Sequence, residues 1–550
     1  MKAVKVAFLW HNHQPDYEIN GEYILPWVRL HAVKDYYDIP SLLSNYPSVK
    51  QNFNFVPVLI DQINKSISGE VVDRVFKLTE IEADKLSISQ KEEILASFFT
   101  CNYDNQIKRF TRFLELFNQK ENAINNWTKQ DWIDLQVWYN LSWVGEISKK
   151  RKNIKYLLKK ERNFNEDDKQ LILSEHIEIM KLIVPKFKEL IKKGQISFSF
   201  TPYYHPILPL LYHSRKALES TPGLDLKDLS YDFHMDAKEQ LDRSKRFYTE
   251  SYDQEIKGFW PSEGSLSNEI LNLMIEMGIS WTATDEMMLL KSGKKLHPLD
   301  KYFVHDYKGK KGDIKIFFRD TDLSDRIGFK YAGWEAGTAV NDFLNSILII
   351  RSNLIDTYGE DILDQSCISI ILDGENCWEF YSENGIHFLK ELFMSLEKNS
   401  LIKTICMDDE SDKRAYRKLN KINAGSWIGG DFKIWLSEEI HKKAWQLLQY
   451  ARDLFERNKS KISNDLQEEV YTYILKAESS DWFWWYYSGH HAPNKLDFDT
   501  LFRYNLQMVY VLLGYEVPEV LKHSLWSKKQ IEEMRKHSNF PASTMHQVSF

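Results

Sequence analysis

Two acidic residues, Glu263 in GFWPSEG and Asp373 in CISIILDGEN, each follow an apolar run and have a tryptophan nearby in sequence, Trp260 and Trp378. A pair of carboxyl groups framed by aromatic rings suits glycosidic-bond chemistry, in which one group donates a proton and the other attacks or activates water. Apolar walls keep an acid protonated near neutral pH, and rings stack on the C–H faces of a sugar. We therefore expect these two carboxyl groups to work as a pair.

Each of the two residues also has a structural interpretation. Pro261 cannot donate a hydrogen bond to a neighbouring strand, so the strand should end there and expose Glu263 at a rim. Glu263 could instead supply a negative charge to the N-terminus of the next helix. Asp373 follows a buried strand, where it could also form an Asx-turn. Glu375 and Glu379 compete with it for a catalytic role, but its position at the strand end favours Asp373.

Three histidines are candidate binding residues. His11 and His13 alternate in WHNHQP, so both face the same side of an extended strand. They could donate hydrogen bonds to sugar hydroxyls or bind zinc, and zinc would require a third protein ligand. His205 lies in PYYHP, where prolines on both sides predict a rigid loop. A contact with substrate and a purely structural role are both open for His205.

Aromatic residues make up 14% of the chain, and two stretches concentrate them. SSDWFWWYYSGHH contains Asp481 and a run of rings that starts at Trp482, and GSWIGGDFKIWLSEE contains Trp427 and Trp435. A helix with rings on all sides must pack some of them against other elements. Interface packing and a sugar-stacking platform therefore both remain open for these residues.

Short β-branched or aromatic runs recur and end in polar residues. We predict seven strands: Lys5–Trp10, Asn54–Ile60, Ile196–Thr201, Ile256–Trp260, Ile279–Ala283, Ile314–Phe318 and Cys367–Leu372. The segments between them have helical periodicity, for example from an N-cap at Ser267 to Gly278, and in a second helix that ends at Gly359. Alternating strands and helices predict parallel pairing, and a barrel would bring every polar strand end to one rim. A doubly wound open sheet is the competing fold.

Two regions depart from this repeat. Residues 63–192 are rich in Lys and Glu and read as a helical insertion within a barrel domain that spans 1–390. From 391 to 550 the strand signal fades, and helical patterns at 437–458, 461–478 and 497–515 predict a C-terminal helical bundle. We expect this second domain to contribute to the active-site cleft.

Composition excludes several classes of protein. The 550 residues carry a formal net charge of −7, which argues against a nucleic-acid or anionic-membrane binder. The four cysteines lack metal-type spacing, and the short apolar N-terminal run suits a first strand, so we expect a cytoplasmic protein. No P-loop, GxGxxG after a strand, GxSxG or HExxH motif is present. Oligomeric state cannot be read from the sequence.

Five ordered segments together resemble glycoside hydrolase family 57, an α-glucan-acting family that includes α-amylases, amylopullulanases, 4-α-glucanotransferases and branching enzymes. The segments are HNHQP (11–15), GQISFSFTPYYHPILPLL (194–211), GFWPSEGSLSNEI (258–270), LDGENCWEFY (372–381) and GSWIGGDFKIWLSEEIHKKAW (425–445). The resemblance implies a (β/α)7 barrel, in agreement with the seven strands predicted above. The form DGEN is similar to the amylase and amylopullulanase members.

The resemblance also implies roles for individual residues. Glu263 matches the family's nucleophile and Asp373 its general acid/base in a retaining mechanism, with no metal or other cofactor. The residues expected to bind an α-glucan or malto-oligosaccharide are His11, His13, His205, Trp260, Trp378, Trp435, Asp481 and Trp482. A retaining pair predicts carboxyl groups roughly 5–5.5 Å apart. The alternatives are a 4-α-glucanotransferase, a metal-dependent deacetylase or mannosidase that uses His11 and His13 as ligands, and a non-catalytic glucan-binding protein.

Overall fold

A closed barrel of seven parallel strands forms the centre of the protein. The computed structural model describes residues 1–227, 229–252, 256–293, 296–413, 415, 417–492 and 494–536. The barrel strands are β1 (Val4–Asn12), β2 (Gln51–Phe55), β3 (Ile196–Phe200), β4 (Gly258–Phe259), β5 (Trp281–Asp285), β6 (Asp313–Arg319) and β7 (Ile368–Asp373). Consecutive strands pair in parallel, and β7 pairs with both β6 and β1, which closes the ring. The predicted (β/α)7 barrel is confirmed, and the open-sheet alternative is wrong.

Strand alternation divides the apolar residues between two cores. Along β1, Val6 and Phe8 belong to the core shared with the surrounding helices, whereas Ala7 and Leu9 face the barrel interior. The interior cluster includes two large rings, Trp260 where the chain leaves β4 and Trp281 on β5, beside small residues such as Ala283 and several larger apolar side chains. A large ring beside small side chains fills a barrel of this size without leaving a channel.

The predicted second strand is wrong in its position. The strand is Gln51–Phe55, and a helix, Pro57–Ser68, occupies the apolar run that we had assigned to the strand. Pro57 starts this helix because its missing N–H is not needed there. Val58, Leu59, Ile60 and Ile63 fit a helix face as well as a strand, so a short apolar run does not distinguish the two. Asp61 and Gln62, expected at a strand end, are helical residues instead.

Helices surround the barrel and continue beyond it. Before β3 they are Trp27–Ala32, Asp35–Leu43, Pro57–Ser68, Arg74–Glu80, Ile88–Ser97, Thr111–Gln119, Ala123–Asn126, Lys129–Ser142, Lys152–Lys160, Glu166–Met180 and Ile183–Lys192. Between β3 and residue 411 they are Leu208–Tyr212, Ala217–Ser220, His234–Tyr252, Asn268–Glu276, Glu286–Ser292, Thr321–Asp325, Ala336–Tyr358, Ile386–Lys398 and Met407–Ser411. The C-terminal helices are Glu439–Asn458, Asn464–Ala477, Ser480–Tyr486, Lys495–Leu512, Glu519–Lys522 and Lys528–Lys536.

The predicted helix ends are confirmed where they were specific. Ser267 caps Asn268–Glu276 by accepting from the backbone N–H of Ile270, and Gly359 ends Ala336–Tyr358. The three C-terminal helical patterns each correspond to a helix. The domain boundaries stay a prediction. Short strands Ile402–Thr404 and Arg417–Leu419 join the main sheet beyond residue 390.

Several short strands lie outside the seven-strand barrel. Glu18–Ile19, Glu22–Tyr23 and Val72–Asp73 form a small sheet, and His305–Lys308 pairs antiparallel with β6. All four cysteines are buried and have free thiols. None of the described helices is long and apolar enough to cross a membrane.

A buried arginine joins the first barrel crossover to the helices of residues 63–192. Arg29 lies on Trp27–Ala32 and makes two hydrogen bonds, of 2.6 and 2.9 Å, to the carboxylate of Asp73. The same guanidinium contacts Asn140 and His176 at 2.8 Å each. The two charged side chains are 2% and 5% exposed, so removal of one would leave the other charge buried and unpaired.

Arg29→Met is therefore expected to reduce the free energy of unfolding by about 3–5 kcal/mol, since an uncompensated buried carboxylate remains at Asp73. Urea titration followed by tryptophan fluorescence measures this change. The matched control is Arg74→Met, which breaks a bidentate pair with Glu93 that is more than a third exposed and should cost less than about 1 kcal/mol. Equal effects of the two substitutions would contradict the assigned role of Arg29.

Candidate active site

The inward-facing rows of four strands end in polar residues at the carboxyl rim of the barrel. On β1 the row Ala7–Leu9 continues to His11, and on β7 Ile371 is followed two residues later by Asp373. Ala283 on β5 and Phe317 on β6 precede Asp285 and Arg319 in the same way. Because side chains alternate along a strand, these four polar groups must project over the barrel interior at one end.

A cavity of about 760 Å³ lies over this rim. Its floor includes His11, His13, Glu263, Arg319 and Asp373. Its walls include loop residues that follow the strands and five residues of the C-terminal helical region: Asp481, Trp484, Trp485, Asn494 and Phe498. The structure thus brings the two predicted catalytic carboxyl groups into one cavity, with aromatic rings around them.

Glu263 occupies a strained backbone position just after β4. It lies in a short turn, Ser262–Gly264, with φ of 54° and ψ of 31°, a left-handed conformation that is uncommon for glutamate. Trp427 holds it at two points: the Trp427 backbone N–H donates to the Glu263 carbonyl at 2.9 Å, and the indole N–H donates to Oε2, also at 2.9 Å. Strain of this kind persists where surrounding contacts fix the residue.

Asp373 is positioned by the pairing of β7 with β1. The parallel register places Asp373 beside His11, and the N–H of Gly374 donates to the His11 carbonyl at 2.6 Å. A Cβ at Gly374 would lie 2.2 Å from Oδ1 of Asn12, so only glycine fits this close approach. The side chain of Asn376 donates to Oδ2 of Asp373 at 2.9 Å.

Burial shifts the protonation of both carboxyl groups. Burial, together with the charge of Asp373, raises the pKa of Glu263 to about 8. Burial also raises the pKa of Asp373, against the Asn376 hydrogen bond that favours its ionised form. Two acidic groups in one buried site do not ionise together readily, so the pair retains a proton near neutral pH.

His11, His13 and His205 form a stack of imidazole rings beside Glu263. The centroids of His13 and His205 are 3.8 Å apart, and those of His11 and His205 are 5.0 Å apart. Burial lowers the pKa of His11 to about 3 and the pKa of His205 well below its usual value. Both rings are therefore neutral in the folded protein.

The hydrogen bonds of the stack fix where its protons lie. The Asn54 side-chain N–H donates to the Ser199 carbonyl, so Asn54 Oδ1 is the acceptor for Nδ1–H of His11 at 2.7 Å. Nε2 of His11 is then an acceptor for Nε2–H of His205 at 3.1 Å, which leaves Nδ1 of His205 to accept from the Ser480 hydroxyl at 3.0 Å. His205 is 1% exposed and does not line the cavity, so the structure places it behind the other two histidines.

Asp481 connects the C-terminal helical region to this floor. Its two carboxylate oxygens lie 2.8 and 3.0 Å from Nε2 of His13, and Oδ2 accepts from the Ser479 hydroxyl at 2.6 Å. In the sequence, the position of Asp481 directly ahead of the aromatic run predicted that it binds substrate. Asp481 and His13 both line the cavity, as expected for binding residues.

Tryptophans divide between the cavity wall and the packed interior. Trp27, Trp427, Trp484 and Trp485 line the cavity. The sequence-predicted binding residues Trp260, Trp378, Trp435 and Trp482 are at most 1% exposed and are not among the lining residues. They pack behind the wall. Trp260 makes an edge contact with Trp427, and Trp378 donates from its indole to the Gly374 carbonyl at 2.8 Å. Trp427, Trp484 and Trp485 thus come from the predicted aromatic stretches but at neighbouring positions, whereas Trp27 comes from the helix Trp27–Ala32.

Two further polar residues line the cavity: Arg319, which was not predicted, and Glu375, which was considered only as a competitor of Asp373. Arg319 donates from Nε to the Ile371 carbonyl at 2.7 Å, pairs with Asp285 and Asp325, and lies 5.4 Å from the Trp427 ring centroid. It therefore supports the indole that holds the nucleophile candidate. The segment FFRDTD predicted a polar strand end at Arg319, but it did not predict the contact with Trp427.

Glu375 is the second of these residues. Its Oε1 accepts from the backbone N–H of His13 at 2.9 Å and from the Tyr36 hydroxyl at 3.2 Å. Burial and the charge of Asp373 raise the pKa of Glu375 well above its usual range. The two hydrogen bonds that Glu375 accepts hold the loop after β1 in place.

His13, His205 and Asp481 each offer a ligand atom within 4.8 Å of the others, which raises the possibility of a metal site. Two imidazoles on one tetrahedral zinc, with Zn–N of about 2.0–2.1 Å, point at a common centre and keep their ring centroids about 5 Å apart. The rings of His13 and His205 instead stack at 3.8 Å with 23° between their planes, so their lone pairs do not converge. This arrangement fits hydrogen bonding to hydroxyl groups better than metal binding.

Comparison with known proteins gives a family match. The model of Glycosyl hydrolase family 57 matches residues 7–423. No curated protein sequence matches the chain.

Three solved structures with similar folds are distant from this chain in sequence. The branching enzyme of this family from Pyrococcus horikoshii superposes with a TM-score of 0.60 at 16% identity, with 100% of this chain and 99% of that chain covered. The α-amylase AmyC from Thermotoga maritima gives 0.57 at 13% identity, with 98% and 96% covered. The 4-α-glucanotransferase from Thermococcus litoralis gives 0.50 at 14%, with 92% and 60% covered. At these identities the likeness shows a shared fold.

The raised pKa of Glu263 predicts a pH-dependent stability change. Between its ordinary pKa of 4.5 and about 8, the folded protein holds a proton that the unfolded chain has lost, so this residue makes the protein less stable as pH rises. Glu263→Gln removes that titration. Its free energy of unfolding should match that of the wild type near pH 4.5 and exceed it by a few kcal/mol at pH 8.5, measured by urea titration at both pH values.

Glu269→Gln is the matched control with the opposite sign. Burial alone would raise the pKa of Glu269, but a hydrogen bond and the charge of Lys216 help to lower it overall, so its ionised form stabilises the folded protein above pH 4.5. This control should lose less than about 1 kcal/mol at pH 8.5, because the pair is partly exposed. If the change in the free energy of unfolding caused by Glu263→Gln were the same at both pH values, ionisation of Glu263 would not destabilise the folded protein.

Proposed function

The chain belongs to glycosyl hydrolase family 57, and we propose that it is a retaining α-glucan hydrolase of the α-amylase or amylopullulanase type, with Glu263 as nucleophile and Asp373 as general acid/base. The observation that supports this proposal is the placement of both carboxyl groups on one barrel rim, in a single cavity walled by tryptophans. Solved structures of similar fold include an α-amylase, a 4-α-glucanotransferase and a branching enzyme. Their acceptors differ, so the hydrolytic activity is the finer part of the proposal.

In the first step, Glu263 attacks the anomeric carbon of the sugar. The bond from carbon to the glycosidic oxygen breaks while Asp373 transfers its proton to that oxygen, and a carboxylate ester of glucose forms on Glu263. The Trp427 indole N–H binds Oε2 of Glu263, and Oε1 lies 4.0 Å from Nδ1 of His205. The same hydrogen bond favours the ionised form of Glu263.

In the second step, the oxygen of a water molecule bonds to the anomeric carbon while Asp373 accepts a proton from that water molecule. The ester bond to Glu263 breaks at the same time. The pair must therefore carry one proton, held by Asp373 at the start of the cycle. Burial raises the pKa of both groups, so the pair retains this proton near neutral pH. Because the pKa of Glu263 is itself raised, the mechanism requires substrate binding to place the proton on Asp373.

His13 and Asp481 bind hydroxyl groups of the sugar in this proposal. Both line the cavity, and Nδ1 of His13 has no hydrogen-bond partner among the described residues, so it is available to a hydroxyl group. A metal-dependent deacetylase or mannosidase would need converging ligands. Nδ1 of His11 is bound to Asn54 and its Nε2 to His205, which does not favour that alternative.

Substitution of either carboxyl group tests the assigned roles. Glu263→Ala should lower the turnover of amylose by at least about 10³-fold, because no covalent intermediate can form. Added azide should restore turnover and give a glucosyl azide of inverted anomeric configuration, detected by NMR. Asp373→Ala should lose about 10²–10⁴-fold and keep the retained configuration with azide. Undiminished activity in Glu263→Ala would refute the proposed nucleophile.

The acceptor is tested separately by the product profile. A hydrolase converts maltotriose to glucose and maltose and steadily generates reducing ends from amylose or pullulan. A 4-α-glucanotransferase instead gives a ladder of products longer than maltotriose with no net gain of reducing ends. Dominance of longer products in the early time points would replace hydrolysis with transfer in the proposal and leave the roles of Glu263 and Asp373 unchanged.

A further inference from the structure

One wall of the cavity is a short helix whose position is fixed from outside the barrel. Trp27 and His31 lie four residues apart on Trp27–Ala32, and both line the cavity. Between them, Arg29 is held by the buried contacts with Asp73 and His176 described above. The helix therefore has little freedom to move, and its two cavity-facing side chains are preorganised.

The protonation of His31 follows from its neighbour Asp35. Nδ1 of His31 lies 2.7 Å from Oδ2 of Asp35, and the same oxygen is 3.3 Å from the ammonium group of Lys34. A carboxylate paired with a lysine accepts hydrogen bonds only, so the proton of His31 is on Nδ1. Burial lowers the pKa of His31, so the ring is neutral. Nε2 then carries a lone pair.

That lone pair is available to a ligand. Within the described part of the chain, no group hydrogen-bonds Nε2 of His31, although the residue is only 4% exposed and borders the cavity. The ring is held on its other side by an edge contact with Trp143, with centroids 5.7 Å apart. A fixed, buried acceptor of this kind discriminates strongly for a hydroxyl group, because a ligand without one leaves it unpaired.

A chain of contacts connects His31 to the segment that carries Asp373. Its ring is 6.2 Å from that of Tyr36, and the Tyr36 hydroxyl donates to Glu375, which follows Asp373 by two residues. His31, Glu375 and Asp373 thus line the same cavity, and Tyr36 contacts both His31 and Glu375. A volume of about 760 Å³ is within the range of about 300–1,000 Å³ for sites that hold drug-sized ligands, which is ample for more than one sugar ring.

We propose that Nε2 of His31 accepts a hydrogen bond from a hydroxyl group of a second glucose unit, next to the unit held by Glu263 and Asp373, with Trp27 beside it. His31 is then a specificity residue that makes turnover depend on a neighbouring sugar. This inference rests on the proposed function, since it names a further contact of the same substrate. The inference also assigns a role to residues 63–192, because Asp73 and His176 in this segment fix the helix that carries His31.

The test compares two substrates in two variants of the full chain. His31→Phe removes the acceptor and keeps an aromatic ring, whereas the amide oxygen of His31→Gln can still accept. For maltotetraose, His31→Phe should lower kcat/KM by roughly 10- to 100-fold, mainly through KM, and His31→Gln should recover much of that loss. For α-glucosyl fluoride, which has one sugar ring, both variants should retain the wild-type rate.

The outcomes separate this inference from the proposed function. A similar loss on both substrates, or no loss on maltotetraose, would overturn the proposed contact. If the wild type did not hydrolyse α-glucosyl fluoride or any α-glucan, the proposed function itself would fail.

A spectroscopic measurement covers the case in which His31→Phe does not fold. In full-length Glu263→Gln protein labelled with ¹⁵N-histidine, the unprotonated Nε2 signal, assigned through its loss in His31→Gln, should shift when maltotetraose is added and should not shift with glucose alone. A signal that does not respond to maltotetraose at saturating concentration would overturn the inference.

Discussion

The candidate site depends on the two hydrogen bonds by which Trp427 holds Glu263. A glutamate in the left-handed region costs free energy, of the order of 1–3 kcal/mol for a residue in a sparsely populated conformation. Trp427 offsets that cost through its backbone N–H and its indole N–H, one on the main chain of Glu263 and one on its carboxylate. Arg319 supports the same indole from the barrel rim. The direction of the carboxyl group is thus set by a residue 164 positions later in the chain.

The surrounding polar groups are arranged so that few of them carry charge. Burial keeps His11 and His205 neutral, and it disfavours the ionised form of Glu375. The charge of Arg319 favours the ionised form of Asp373, but burial outweighs it. Such a site can retain the single proton that a retaining mechanism needs.

Much of the framework was predictable from local sequence, and the wall of the cavity was not. The seven strands and the rim positions of Glu263 and Asp373 follow from apolar runs that end in polar residues, and the closed barrel confirms the fold. The second strand was misplaced because Val56 to Ile60 fits either period. The choice among neighbouring tryptophans failed for a different reason. In Ser480–Tyr486 every residue is aromatic or polar, so the rotation of the helix decides that Trp484 and Trp485 face the cavity while Trp482 does not. That rotation depends on packing between distant segments.

The most direct test of the central claim is to trap the covalent intermediate. Wild-type protein treated with 5-fluoro-α-glucosyl fluoride should gain the mass of one fluoroglucosyl group, and peptide mapping should place that group on Glu263. The label should be lost slowly as water or an acceptor sugar releases it, with Asp373 as the base. A label on another residue, or catalysis that gives products of inverted configuration without any label, would contradict the assignment of Glu263 and Asp373 as a retaining pair.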